Sequence, residues 1–380
     1  MPERDRKIAD LAPLTSLRFV AAMMIVVHHI KLYFPWSWSV DAPATLVHGV
    51  SFFFVLSGFI LTHAYTSQPF PGYRQFLWKR FAKLWPLHVF ALLMLVTFVR
   101  PDSITFDGPG IFSKWVQLAS NLTLTHALMP FTSYAFSWNG VSWSISTEAA
   151  FYLAFPLLLV NIRSTWHWKL IGSALVAGAM ILVLKAFHLP AYGGINEVSL
   201  ESATYTNPLI RGFEFCLGMA TWVLWDRYVR GSKLPAHIWA AIEVAVLAVI
   251  VLWLWKGFFV LHAHIHWVTI LLLFERAGSC WLFAALIAVI ASGRGAIGQL
   301  LSYRPLVFLG EISFAVYMVH QILLKFLGGW LPAGTVTPTM FFAALLFIAA
   351  GSYLMIERPA QRFLIKKRAP AVPIATPVHL

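Results

Sequence analysis

Charge is what this sequence has least of. Only 11% of its 380 residues are Asp, Glu, Lys or Arg, while 59% are hydrophobic; an ordinary soluble chain is about 25% charged. So much apolar surface needs lipid as its solvent, which excludes a soluble globular fold and leaves a polytopic membrane protein. Cysteine is nearly absent. Cys216 and Cys280 fall in or beside apolar segments, so there is no disulfide framework and no C-x-x-C metal or redox spacing; both read as small packed hydrophobes. No small-residue cleavage site follows the first apolar run, and that run reads as an uncleaved anchor. No period of 20–50 residues and no similarity between halves is present, which speaks against a repeat array and against an inverted-repeat transporter.

What is there is a series of apolar runs. A spanning helix needs about 20 mostly apolar residues, and about ten such stretches occur, near 14–34, 46–66, 84–100, 139–160, 169–187, 207–225, 236–255, 277–292, 306–326 and 338–356. The fold class is therefore all-α, about ten transmembrane helices in one bundle. Residues 1–13 are expected as a cytoplasmic N-terminal segment, 14–363 as the membrane domain and 364–380 as a cytoplasmic tail. Lys and Arg test this layout, because cytoplasmic loops collect them. With both termini inside, most of the 28 basic residues fall in inner segments, including Arg74, Lys79, Arg80, Lys83, Arg227, Arg230 and the run from Arg358 to Arg368. The formal charge of +13 is thereby explained without nucleic acid. Residues 257–276 are expected as an outer loop with room for a short interfacial helix, since an extra crossing there would carry the basic C-terminal segment outside.

Ionisable groups inside such runs are costly and normally face a bundle interior or a wet cavity. Arg18 and His29 lie eleven residues apart in the first run, so on a helix they differ by about 20° in direction and about 16 Å in height. They share a face without touching, whereas His28 points about 100° away. Snorkelling for Arg18 and simple packing for His29 are the plain alternatives. Lys79, Arg80 and Lys83 form an anion site at the inner surface, Arg80 contributing a planar donor fork; topogenic charge beside anionic lipid competes with this reading. In "HGVSFFFVLSGFILTHAY" an unwound turn at Ser57 and Gly58 would offer backbone groups to a ligand, although small-residue helix packing explains it equally. Glu148, in "SWNGVSWSISTEAAFYLAFP", needs a partner: Ser144, Ser146 or a cation from another helix. Arg211 and Glu214 have the spacing to pair with each other, and Glu311, His320 and Glu357 read as a helix-stabilising network. "HAHIH" at 262–266 has no acidic or cysteine partner nearby in sequence, so no metal site is expected.

Taken in order, Arg18-x10-His29, "GVSFFFVLSGFIL", "KRFAKLWPL", "WSISTEAAFYLAFP", "RGFEFCLGMA", "LGEISFAVYMVH" and "IERPAQRF" resemble the acyltransferase-3 family of integral membrane acyltransferases over residues 14–363. The resemblance implies transfer of an acyl group, acetyl foremost, from acyl-CoA to a hydroxyl of a glycan or glycolipid. It also implies a bacterial cytoplasmic (inner) membrane location among lipids, no metal, and essential roles for Arg18 and His29. Family members often carry R-x-x-R where this chain has Arg80-x-x-Lys83, and lysine keeps the charge but loses bidentate geometry. On this basis His29 is expected as general base on the acceptor hydroxyl, with Glu148 holding its imidazole. Arg18, Arg80, Lys83 and Lys79 are expected to bind the donor, and Ser57 or the amides near Gly58 to meet the oxyanion. A secondary transporter or permease, and a non-catalytic scaffold, are the rival classes.

Overall fold

A segment crossing hydrocarbon must satisfy its own backbone hydrogen bonds, and a helix does this within one stretch. The computed structural model describes residues 11–33, 44–265, 267–332 and 334–366, and among these there are helices and turns but no strand. Residues 1–10 and 367–380, the bulk of the two expected cytoplasmic ends, lie outside the described residues.

The principal helices are α1 (Ala12–Tyr33), α2 (Gly49–Thr66), α3 (Tyr73–Phe98), α4 (Trp143–Leu159), α5 (Ile162–Ala186) and α6 (Pro208–Leu224). They are followed by α7 (Ala236–His264), α8 (Val268–Ala277), α9 (Cys280–Ile290), α10 (Arg304–Trp330), α11 (Pro338–Ser352) and α12 (Arg358–Lys366). Starts are set by familiar chemistry. Asn207 and Thr337 each cap a helix by accepting a backbone N–H, and each is followed directly by a proline whose missing donor costs nothing there.

Among the described residues, eight helical stretches are long and apolar enough to cross a membrane. The segments expected at 139–160 and 207–225 are helical too, but α4 and α6 have only 17 residues each and are not among the eight. Two boundaries differ from expectation. Helix α3 begins at Tyr73, so Lys79, Arg80 and Lys83 lie inside it; hydropathy placed them before the helix because it scores a cation without seeing what the cation faces. Residues 257–276 are not a loop. Helix α7 continues to His264 and α8 takes up from Val268, because bulky apolar residues around Gly257 and the histidines sustain the helix through a stretch of weak hydropathy.

Three glycines fix how the helices meet. A Cβ on Gly58 of α2 would lie 2.1 Å from the Phe215 carbonyl oxygen of α6, and one on Gly218 of α6 would lie 1.9 Å from the Val55 carbonyl oxygen of α2. Each glycine thus admits the other backbone, the small-residue seam expected of helices packed without a hydrophobic driving force. A Cβ on Gly310 of α10 would lie 1.9 Å from the Thr15 carbonyl oxygen of α1. Further along, His29 of α1 meets His320 of α10, so these two helices run side by side in the same direction. Helix α2 runs the opposite way, with Gly49 at its start set against Ala21 and Ile25 of α1.

Buried charge is handled in pairs. Arg211 Nε and Glu214 Oε2 are 2.6 Å apart with 3% and 1% exposure, the i, i+3 pair expected from sequence. Glu243 is fully buried and accepts the backbone N–H groups of Ile297 and Gly298. Glu311 is exposed and accepts from Tyr353 instead.

Candidate active site

A cavity of about 380 Å³ runs along α2. Its lining extends from the exposed Ser67–Gln68 turn to Val50, 17 residues or about 26 Å of helix. Four cations line it: Arg18 from α1, and Lys79, Arg80 and Lys83 from α3. Glu148 of α4 is its lining carboxylate, and Ser57 and Tyr152 lie on the same wall. The deep part is enclosed by Phe53, Phe54, Ile145 and Tyr317, with the Phe53 and Tyr317 rings 6.0 Å apart. The arrangement is a polar, cationic mouth leading into an apolar shaft, a shape suited to a ligand with a phosphorylated head and a slim tail.

Local structure explains how the cations remain in an apolar bundle. Lys79 and Lys83 are one turn apart, on the face that α3 turns towards the cavity. Arg80 is held by aromatic faces: its guanidinium carbon is 5.9 Å from the Tyr65 ring, 5.8 Å from Phe76 and 5.9 Å from Tyr152. Such cation–π contacts stabilise a partly desolvated arginine. Its terminal nitrogen reaches the Tyr65 hydroxyl at 3.5 Å, while its buried Nε has no hydrogen-bond partner among the described residues. Arg18, Arg80, Glu148 and Glu357 all lie within electrostatic reach of Lys83. Glu357 closes the wide π turn Tyr353–Glu357 between α11 and α12, a local irregularity often found where a helix must redirect a side chain to a site.

Glu148 finds its partners within the site. Ser57 Oγ donates to Glu148 Oε1 at 2.7 Å and the Tyr152 hydroxyl donates to the same oxygen at 2.5 Å. Of the expected partners, a cation from another helix is near, since Lys83 lies within electrostatic reach, but the two serines of α4 are not bonded to it. Ser144 instead shares a hydrogen bond with the Tyr317 hydroxyl at 2.8 Å, and Ser146 donates to the Leu124 carbonyl. The Ser57 proton is therefore directed at a carboxylate. Helix α2 is unbroken from Gly49 to Thr66, so of the two readings of Ser57 and Gly58 the unwound turn does not occur and small-residue packing does. Gly58 does not line the cavity but forms the α2–α6 seam, and its carbonyl also accepts from Thr62.

His29 stands apart from this group. The start of α2 packs against Ala21 and Ile25 of α1, so the deep end of the cavity lies about one helical turn below His29. Its hydrogen bond is to His320: His29 Nδ1 and His320 Nε2 are 2.9 Å apart, with the rings stacked at 5.1 Å. Among the described residues Glu148 is bonded to Ser57 and Tyr152 and not to this imidazole. The link between imidazole and cavity is Tyr317, whose ring lines the shaft and lies 5.9 Å from the His320 ring. His28 packs edge-on to His29 at 5.4 Å and makes no hydrogen bond among the described residues, so the two neighbours do differ.

The structure thus brings together Arg18, Lys79, Arg80, Lys83, Ser57 and Glu148, and leaves His29 and Gly58 outside the cavity wall. Sequence reasoning did not select Tyr65, Tyr152, Tyr317, His320 or Glu357 for the site. Of these, His320 and Glu357 carried a usable signal, an ionisable group within an apolar run. In the histidine-rich stretch, His262 does have an acidic partner in space, Glu275 at 2.6 Å, and His264 caps the Val260 carbonyl; His266 lies outside the described residues. No group of three potential metal ligands exists among the described residues.

Comparison with known proteins gives the family. A family model described as an acyltransferase domain, acyltransferase-3, matches residues 13–357. Acyltransferase MdmB of Streptomyces mycarofaciens is 29% identical over 413 aligned positions, covering 99% of this chain and 96% of that protein. A "Putative O-acetyltransferase" of Staphylococcus aureus is 23% identical, covering 95% of this chain and 59% of that protein. The "Putative peptidoglycan O-acetyltransferase YrhL" of Bacillus subtilis is 26% identical, covering 81% of this chain and 47% of that protein. The chain thus spans about half the length of these last two relatives. No solved structure matches it.

Proposed function

Because the chain belongs to the acyltransferase-3 family, whose matched relatives are named as acyl- and O-acetyltransferases, we propose that it moves an acyl group, acetyl foremost, from acyl-CoA to a glycan hydroxyl. The membrane assignment rests on the eight long apolar helices; in this proposal α4 and α6 complete about ten crossings, both termini face the cytoplasm, and the membrane is the bacterial inner membrane. The glycan class is suggested by the relative named for peptidoglycan.

One observation carries the reading. Four cations line a shaft whose wall also holds Tyr317, 5.9 Å from the ring of His320, the hydrogen-bond partner of the half-buried His29. Phosphates are the natural ligands of such a mouth: Arg80 supplies two parallel donors and the lysines supply charge. The pantetheine arm then follows the apolar shaft and carries the thioester towards Tyr317 and His29. The nucleotide stays at the cytoplasmic face.

At the inner end His29 accepts the proton of the acceptor hydroxyl as that oxygen attacks the thioester carbon. The oxygen–carbon bond forms, the carbon–sulfur bond breaks, and the proton passes from His29 to the departing thiolate. General-base assistance of this kind contributes about 10²–10⁴-fold. Glu148, bound by Ser57 and Tyr152, acts in this scheme on the cationic wall of the shaft: it orders the two hydroxyls and offsets the repulsion among Arg18, Arg80 and Lys83. No step requires a metal.

The test is direct. Purified protein in nanodiscs is supplied with acetyl-CoA and a soluble glycan acceptor, and free coenzyme A thiol is measured alongside acetylated glycan by mass spectrometry. Both products are expected in equal amounts. Absence of thiol release with every acyl-CoA offered, from protein that still binds acyl-CoA, would overturn the assignment.

A further inference from the structure

We propose that His320 is a positioning residue for His29, fixing which nitrogen of that imidazole carries the proton. The proposal rests on the acyl-transfer reading above and specifies a residue that the reading does not use.

The argument is one of donors and acceptors along a chain of three groups. His320 Nδ1 lies 2.7 Å from the Tyr317 carbonyl oxygen. A carbonyl only accepts, so Nδ1 of His320 carries a hydrogen and donates it. In a neutral imidazole the other nitrogen is then a lone-pair acceptor. That nitrogen, His320 Nε2, is 2.9 Å from His29 Nδ1, so the hydrogen between them belongs to His29. His29 Nε2 is consequently the unprotonated nitrogen, and it has no partner among the described residues. A backbone carbonyl thus selects the base nitrogen of His29 through one intervening ring.

The surroundings make this chain rigid. His320 is fully buried and both its nitrogens are engaged, whereas His29 is half-buried. The helices that carry the two histidines touch at Gly310 and Thr15, which sets their register. Tyr317 is itself tied to α4 and the turn before it, since its hydroxyl donates to the Val141 carbonyl and is bonded to Ser144. A carboxylate usually orients a catalytic imidazole; here a neutral histidine backed by a carbonyl does so without bringing a further charge into the apolar bundle. After proton uptake at Nε2 the His29 cation still donates from Nδ1 to His320, so the pair needs no rearrangement during turnover.

Two conservative variants separate positioning from packing. In His320→Gln the side-chain oxygen reaches the place of the ring Nε2 and can accept from His29. In His320→Asn the shorter amide reaches only the place of Nδ1, so the contact to Tyr317 survives and the contact to His29 is lost. The expected result, by acetyl-CoA-dependent thiol release, is that His320→Gln keeps kcat within about tenfold while His320→Asn loses about 10²–10⁴-fold, the range set by a general base held in the wrong form. The KM for acetyl-CoA stays unchanged in both. Equal activity of the two amides, or a parallel loss in kcat and KM, overturns the proposal. Should neither variant fold, wild-type protein carries the test: diethyl pyrocarbonate, mapped by mass spectrometry, is expected to modify His29 ahead of His320, and preferential labelling of His320 overturns it. His29→Ala, assayed in parallel, reports on the underlying reading: full turnover by that variant removes the general base itself, whatever His320 does.

Discussion

Replacing Arg80 by lysine is the most informative single change at the cavity mouth. The substitution keeps a positive charge on the third turn of α3 and removes the planar fork. Three rings surround the guanidinium at 5.8–5.9 Å, and an ammonium in the same cage keeps part of that attraction, so folding should be little affected. What is lost is one of two parallel charge-assisted hydrogen bonds to a phosphate. Such a bond contributes about 1.5–3 kcal/mol, equivalent to roughly 10- to 150-fold in affinity. The dissociation constant for coenzyme A, measured by isothermal titration in nanodiscs, should therefore rise by about that factor. Turnover at saturating acetyl-CoA should change by less than about threefold, because the contact is remote from the thioester. Lys83→Arg is the mirror experiment, since it restores the arginine pair typical of the family, and it should tighten binding. If Arg80→Lys binds coenzyme A as tightly as wild type, Arg80 does not hold phosphate and the cationic mouth needs another explanation.

Further outcomes follow from other parts of the molecule. His29→Gln should abolish thiol release while its thermal unfolding midpoint and coenzyme A affinity stay near wild type. Gly218→Ala should lower stability by about 1–3 kcal/mol or more, the usual cost of overpacking, because its methyl group would meet the Val55 carbonyl oxygen at 1.9 Å; a thermal unfolding scan in detergent reads this, and an unchanged midpoint would contradict the seam. His126, in the connection between α3 and α4, has its imidazole pushed down to about 3 by burial. Unfolded, it titrates near 6.5, so between about pH 6.5 and 3 the unfolded chain binds a proton that the folded one refuses, and stability falls with decreasing pH by up to about 1.4 kcal/mol per unit. His126→Gln should flatten the slope of the unfolding midpoint between pH 4.5 and 6.5. Prolonged treatment with EDTA should leave acyl transfer intact, assayed by the same thiol release.

The cavity was legible in outline because hydrocarbon makes an ionisable group conspicuous. Arg18, Arg80, Lys83 and Glu148 stand out from apolar neighbours, each must face inward or meet a partner, and they do meet around one space. Beyond the local pair Arg211–Glu214, which groups pair was not legible. Glu148 bonds to Ser57, 91 residues away, and His29 bonds to His320 across 291 residues, separations that no local period encodes. Tyr65, Tyr152 and Tyr317 looked like ordinary aromatic residues of membrane helices, although their hydroxyls and faces shape the site. Helix existence came through well, but the beginning of α3 was missed by about three turns, because hydropathy counted Arg74, Lys79, Arg80 and Lys83 against it. At 257–276 the charge rule favoured a loop, whereas α7 and α8 fill most of the stretch. The glycines at 58 and 218 could have been read as ligand-binding or as packing, and only the closeness of the two backbones decides for packing.

A cavity that follows a membrane helix for about 26 Å is also an electrical hazard. Water that followed it from one face to the other would let protons and ions run down their gradients, a loss the cell would feel even if acyl transfer were perfect. On the proposed reading, the meeting of Phe53 with Tyr317, backed by the tightly joined α2 and α6, would serve as an insulating plug as much as a floor for substrate. Cells carrying a small residue in place of Phe53 should reveal this as leak current or dissipated membrane potential.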